Sequence, residues 1–117
     1  MKILITGGRY WSDRDKISNA LFDASAPGDI IIEGGAPGAD TIARQVCDWM
    51  RPRRRWIELR ADWELYGKAA GPIRNREMLD LQPEIVLAFH EDLANSRGTK
   101  DCAEEAIRRG IPVAVYE

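Results

Sequence analysis

The chain has 117 residues, with 17 Lys and Arg against 19 Asp and Glu, a formal charge of −2, 44% hydrophobic and 31% charged residues. That length supports one domain burying roughly 65% of its unfolded surface without help from disulfides or a metal. The apolar content excludes disorder, and the charge balance excludes an extensive basic surface for nucleic acid. No apolar run approaches the ~20 residues of a membrane span, and Met1-Lys2-Ile3 leads into a strand signal instead of a signal peptide, so a cytoplasmic protein with no membrane partner is expected. Cys47 and Cys102 lie far apart with no CxxC or His-rich companion, which reads as two buried thiols and no metal site. The cations are 13 Arg to 4 Lys, a bias that suits phosphate because guanidinium presents a planar fork of donors.

In chain order, Ile3-Leu4-Ile5 is continuously apolar, as expected of a strand covered on both faces. Ser12-Asp13-Arg14-Asp15 opens a first helix, with Ser12 as the cap and Ile17, Ala20, Leu21 and Ala24 as its inward stripe. Ile30-Ile31-Ile32 is a second central strand. A second helix is expected from about Ala39 to Met50, with Ile42, Val46 and Trp49 inward and Pro52 ending it. The charge run Arg51-Pro52-Arg53-Arg54-Arg55 reads as an exposed turn. Trp56-Ile57-Glu58-Leu59 alternates and belongs at a sheet edge. Asp62 to Gly67 reads as a loop, and Pro72 fits the first turn of a third helix whose stripe is Ala70, Arg74, Met78 and Leu81. That stripe puts a guanidinium in line with apolar neighbours. Ile85 to Phe89 is a third buried strand; Thr99 to Arg109 is a helix with Cys102, Ala103, Ala106 and Ile107 inward and Gly110 as its stop; Val113 to Tyr116 closes the chain at an edge.

Five strands alternating with four helices predict an α/β fold, a doubly wound five-stranded parallel sheet of order 3-2-1-4-5 with helices on both faces. The strand order reverses between the first and fourth strands, so a ligand is expected beyond their carboxyl ends. Six of the ten glycines, Gly7, Gly8, Gly34, Gly35, Gly38 and Gly98, fall in the loops that reach that rim. Glycine there lets backbone N–H groups approach a ligand, although short strand-to-helix turns also need glycine for backbone reasons alone. Gly38 and Gly98 lead into helix N-termini, which are anion sites, and Arg9, Arg74 and Arg97 lie near them in the predicted layout. Neither GxGxxG nor GxxxxGK[ST] occurs.

Asp40 at the start of the second helix either answers the helix dipole or accepts from ribose hydroxyls. Ser96 or Thr99 either caps the last helix or offers a hydroxyl to phosphate. Glu33 at the end of a buried strand reads as a ribose acceptor, a general base or a residue emerging into solvent. His90 ends a strand at the cleft, but no Ser or Cys nucleophile with an acidic orienter pairs with it, so a triad is not supported. Trp63 or Tyr10 offers an aromatic face for a base.

The segments Gly7-Gly8-Arg9, Gly34 to Asp40 (GGAPGAD), Ala61-Asp62-Trp63, Gly67 to Asn75 (GKAAGPIRN) and Ser96 to Thr99 (SRGT) together resemble the YspA-like, cpYpsA-related branch of the SLOG superfamily. That superfamily is named for its DprA and LOG relatives, and the likeness runs along nearly the whole chain. The resemblance implies a Rossmann-like sheet and one nucleotide-binding domain over residues 1–117. Its ligand would be a nucleotide or nucleotide-derived, ADP-ribose-like molecule, bound as by a hydrolase or as by a sensor in phage and bacterial conflict. By that resemblance Gly7, Arg9, Gly34, Gly35, Gly38, Asp40, Arg74, Asn75, Gly98 and Thr99 line the site, and Gly8, Trp63, Lys68, Ser96 and Arg97 are further ligand-binding candidates. LOG hydrolases carry PGGxGTxxE with a catalytic Glu; here Cys102 stands at that Glu position and PGG is missing. Asp101 is one residue out of register, which on a helix turns a side chain by about 100°. LOG-type phosphoribohydrolysis is therefore not expected, and Glu33 and Asp40 are the candidates for any other N-glycosidic chemistry. DprA-like association with nucleic acid would rest on Arg51 to Arg55 alone. The cofactor is left open, and the sheet edges and outer helix faces leave room for a homodimer.

Overall fold

The computed structural model describes all 117 residues. Strands β1 (Lys2–Gly7), β2 (Ile30–Glu33), β3 (Arg55–Glu58), β4 (Ile85–Phe89) and β5 (Val113–Tyr116) form one parallel sheet of order β3-β2-β1-β4-β5. Four helices of 11 residues connect them: α1 (Arg14–Ala24), α2 (Ala39–Trp49), α4 (Ala70–Asp80) and α5 (Gly98–Arg108), with a one-turn α3 (Trp63–Tyr66) before α4. The predicted class and strand order are those observed. No helix is long and apolar enough to cross a membrane.

Alternation along β1 divides the core. Ile3 and Ile5 face α1 and α2, where they meet Ile17, Leu21, Ala43, Val46 and Met50. Leu4 faces α4 and α5, with Met78, Leu79, Cys102 and Ala106. Side chains at successive strand positions point to opposite faces, so a central strand covered by helices must be apolar throughout.

Several sequence expectations are corrected in detail. The cap of α1 is Asp13, whose carboxylate accepts from Lys16 N at 3.1 Å, and not Ser12. Trp11 packs edge-on against Phe89 and donates from Nε1 to the Asp13 carbonyl, which fixes Asp13 at the turn. Trp49 is 71% exposed, because α2 lies on the sheet through Ala39, Ala43, Val46 and Cys47 with Met50 following. Small side chains let that helix sit close, and Trp49 lies about 100° round from Met50. Ile107 likewise points outward while Cys102, Ala103 and Ala106 face in. The segment expected as a loop, Asp62 to Gly67, holds α3, capped by Asp62 accepting from Leu65 N, and a 3-10 turn over Gly67–Ala69. Pro72 is the third residue of α4, within the first turn as predicted.

The arginine run is not simply an exposed turn. Arg54 is buried, donating to Ser25 Oγ at 2.9 Å and the Pro52 carbonyl at 2.8 Å. Arg51 donates to the last carbonyls of α2, and Arg53 pairs with Asp48.

Candidate functional site

A cleft of about 350 Å³ opens beyond the carboxyl ends of β1 and β4, at the reversal in strand order. Its wall includes Gly7, Gly8, Arg9, Asp40, Trp63, Arg74, Asn75, Ser96, Arg97, Gly98 and Thr99. An adjoining lobe of about 210 Å³ is lined by Gly34 and Gly35 and shares Arg9, Ala36, Trp63 and Arg74 with the cleft. Gly38, Lys68 and Glu33 line neither.

The two glycine-rich entries into helices differ. The loop Gly34 to Ala36 turns its N–H groups inward: Asp40 Oδ2 accepts from Gly34 N and Ala36 N, each at 3.2 Å, and Glu33 Oε1 accepts from Gly35 N at 2.6 Å. Ala39 N, the first of α2, also donates to the Gly8 carbonyl at 3.1 Å. Gly38 makes this close approach, since its φ is +80° and a Cβ would fall 2.6 Å from the Arg9 carbonyl oxygen. These donors are spent on the fold.

The N-terminus of α5 is open. Ser96 Oγ accepts from Lys100 N at 2.9 Å and the Arg97 carbonyl from Asp101 N at 3.0 Å, so Ser96 is the capping hydroxyl. The N–H groups of Gly98 and Thr99 are left at the cleft wall without a protein acceptor. Asn75, buried on α4, holds this turn by donating to the Gly98 carbonyl at 3.1 Å and to Asp101 Oδ2 at 3.0 Å. Such a helix end, with unspent N–H groups and the positive end of its dipole, attracts an anion.

Arg74 crosses from α4 to the glycine loop, donating from Nη1 to the Gly34 carbonyl at 2.7 Å and from Nε to Asn75 Oδ1 at 3.2 Å. Gly34 permits this: a Cβ there would lie 2.7 Å from Arg74 Cζ and 3.0 Å from Asp40 Oδ2. Both Nη2 hydrogens remain for a ligand. The His90 ring lies against Gly8, and its Nδ1 accepts from Asp92 N at 2.9 Å, which places the ring proton on Nε2 as a donor at the wall.

The carboxylates divide by access. Asp40 is 6% exposed and reaches the cleft. Burial pushes its pKa up to about 6, opposed by the loop N–H groups and Arg74. Glu33 is fully buried, its Oε2 has no partner as a carboxylate, and burial together with neighbouring Glu58 pushes it up to about 8. A protonated Glu33 satisfies that oxygen by donating to Glu58, which Arg60 keeps ionised at 2.8 Å, below its usual range. Glu33 is thereby sealed beneath the loop. Cys102 is also fully buried, its thiol pushed up to about 12 by desolvation, so it supplies neither the acid nor the nucleophile missing at that position.

The sequence reading missed Thr6, Gly71, Glu91 and Ala36 on the cleft wall and Arg60 in the second lobe. Thr6 was legible as the one polar residue between the apolar run of β1 and Gly7-Gly8. Gly71 carries a signal inside GKAAGPIRN: a Cβ there would lie 3.3 Å from Trp63 Cη2. Arg60 has no local signal, because it reaches the site only through the path of an edge strand.

A profile described as the YspA, cpYpsA-related SLOG family matches residues 1–66. The chain is 44% identical over 118 residues to the Gene 61 protein of Mycobacterium phage D29, covering 96% of this chain and 93% of that protein. No solved structure matches the chain. The glycine loops, the cleft at the strand-order reversal and the extent of these two matches lead to one assignment: the chain belongs to the YspA, cpYpsA-related SLOG family.

Proposed function

We propose that the chain binds a nucleotide or nucleotide-derived, ADP-ribose-like molecule in the 350 Å³ cleft, as a sensor or sequestering module. The observation that carries this reading is the open N-terminus of α5 beside Arg97, in a cleft whose wall also carries Arg9, Arg74 and His90. A phosphoryl group sits on Gly98 N, Thr99 N and the Thr99 hydroxyl, with Arg97, Arg74 Nη2 and His90 Nε2 as further donors. Asp40 accepts from a ribose hydroxyl through the oxygen not held by the loop. Trp63, half-exposed over Gly71, gives the base a face to stack on.

A hydrolytic reading has one supporting feature, an Asp40 with its pKa near 6 at the wall, and product chromatography after incubation with nucleotides tests it. Binding without turnover is favoured, because Glu33 and Cys102 are closed off from the cleft. A nucleic-acid surface at the arginine run draws little support, since Arg51, Arg53 and Arg54 are bonded within the protein. The phage-encoded relative fits a role in conflict between phage and bacterium.

The test is a thermal-shift panel of nucleotides, where a ligand at 100 times its Kd adds about 2.7 kcal/mol of stability. Arg97→Ala and Arg74→Ala are expected to remove that shift while the unliganded protein stays folded. Absence of a shift with every phosphate-bearing compound overturns the reading.

A further inference from the structure

We propose that the adjoining lobe is a second anion subsite, so that the ligand carries two anionic groups set apart, one on the α5 N-terminus and one on Arg60 and Arg74. This rests on the reading of the main cleft as a nucleotide site and adds what the far end of the ligand must be.

The lobe of about 210 Å³ adjoins the cleft, and Arg9, Ala36, Trp63 and Arg74 border both, so a ligand that passes these four residues reaches both. Its wall carries three guanidinium groups, Arg9, Arg60 and Arg74, and no carboxylate, whereas the main cleft sets Arg9, Arg74 and Arg97 against Asp40 and Glu91. The second lobe is therefore the more cationic of the two. A neutral end group would leave the charge of three guanidiniums uncompensated, while a phosphoryl or carboxylate group accepts stronger, charge-assisted bonds from them and offsets part of that charge.

The donors in this lobe are side chains, because the backbone N–H groups of its glycine loop are already given to Asp40 and Glu33. The Gly34 carbonyl anchors Arg74 at the border between the lobes. Arg60 is held on the opposite side by Glu58 at 2.8 Å, through Nε alone, which leaves both terminal nitrogens free. Arg44 stands 3.9 Å from the same carboxylate, so the charge on Glu58 stays compensated when Arg60 turns to an anion. Trp63 belongs to both walls and is the divider that the middle of the ligand crosses.

The experiment is an NMR titration of the labelled full chain with inorganic phosphate. It follows the amides of Gly98 and Thr99 and the Nε–H groups of Arg60 and Arg74. Two sets of shifts are expected, one at Gly98 and Thr99 and one at Arg60. Arg60→Gln is expected to leave the first set intact and weaken the response of the Arg74 Nε–H, which borders both sites, and Arg97→Ala to weaken the first set while the Arg60 response persists. Arg60 has a side chain 72% exposed, so its replacement does not threaten the fold. Shifts confined to Gly98 and Thr99 would overturn the second subsite and leave the nucleotide reading standing. Shifts at neither place would overturn both.

Discussion

The entries into α2 and α5 look alike on paper and behave oppositely in space. Each is a glycine-containing loop running into an 11-residue helix with an acid in its first turn. In the first, the acid is Asp40, the second residue of the helix, and its carboxylate turns back to take the loop's own N–H groups. In the second, Asp101 comes two positions later and is taken by Asn75 from a different helix, so the loop's donors stay unspent. A glycine-rich turn is thus a scaffold or a receptor according to where the nearest carboxylate falls.

The sharpest way to test that contrast is to add one methyl group to each loop. Gly38→Ala demands a positive φ from alanine and drives its Cβ into the Gly8 and Arg9 backbone, which has no flexible end to yield. A loss of about 2–4 kcal/mol is expected in urea unfolding. Next in size is Asp40→Ala, which strands two loop N–H groups and should cost about 1–3 kcal/mol. Asp40→Asn keeps an acceptor and should recover most of it, so an equal loss in both variants would show that the loop does not hang on those bonds.

The closed entry also predicts a pH dependence. The folded pKa values of Glu33 and Asp40 are raised, so the folded state keeps protons that the unfolded chain has released. Glu33 contributes its full share below 4.5 and loses it as pH rises through about 8; Asp40 does so from 3.8 through about 6. The urea midpoint should therefore fall as pH rises across that window. Glu33→Gln should flatten the upper part of the fall, and an unchanged slope would assign it to another group. The smallest effect belongs to the open entry: Gly98→Ala meets nothing within 4 Å and has no positive φ. It should leave stability level or raise it by about 0.4–1 kcal/mol.

The strand order was legible because β1, β2 and β4 are covered on both faces and so are written in unbroken apolar runs. The rim was legible because strand order fixes where the sheet opens. Helix faces were read less well: Trp49 and Ile107 are large apolar residues that the chain leaves outside, while Ala43, Cys47 and Ala106 do the packing. Bulk draws the eye in a sequence, but close helix-to-sheet approach selects small side chains. The fate of Glu33 was not legible at all, since its seal depends on Glu58, a residue of the neighbouring strand in register with it. Nor was the difference between the two glycine loops, because it lies in the direction of N–H bonds that only the folded backbone defines.

The Gly8 carbonyl accepts from both Trp11 N and Ala39 N while Gly8 N donates to the Phe89 carbonyl. One residue thereby ties β1, β4, α1's approach and α2 into a floor that cannot open a single bond without loosening its neighbours. Amide hydrogen exchange should show this as a slow Ala39 and a fast Thr99 in the same cleft. A ligand arriving there meets a floor already set, so the ordering cost of binding falls on the α5 turn and the exposed side chains of Arg60 and Arg97.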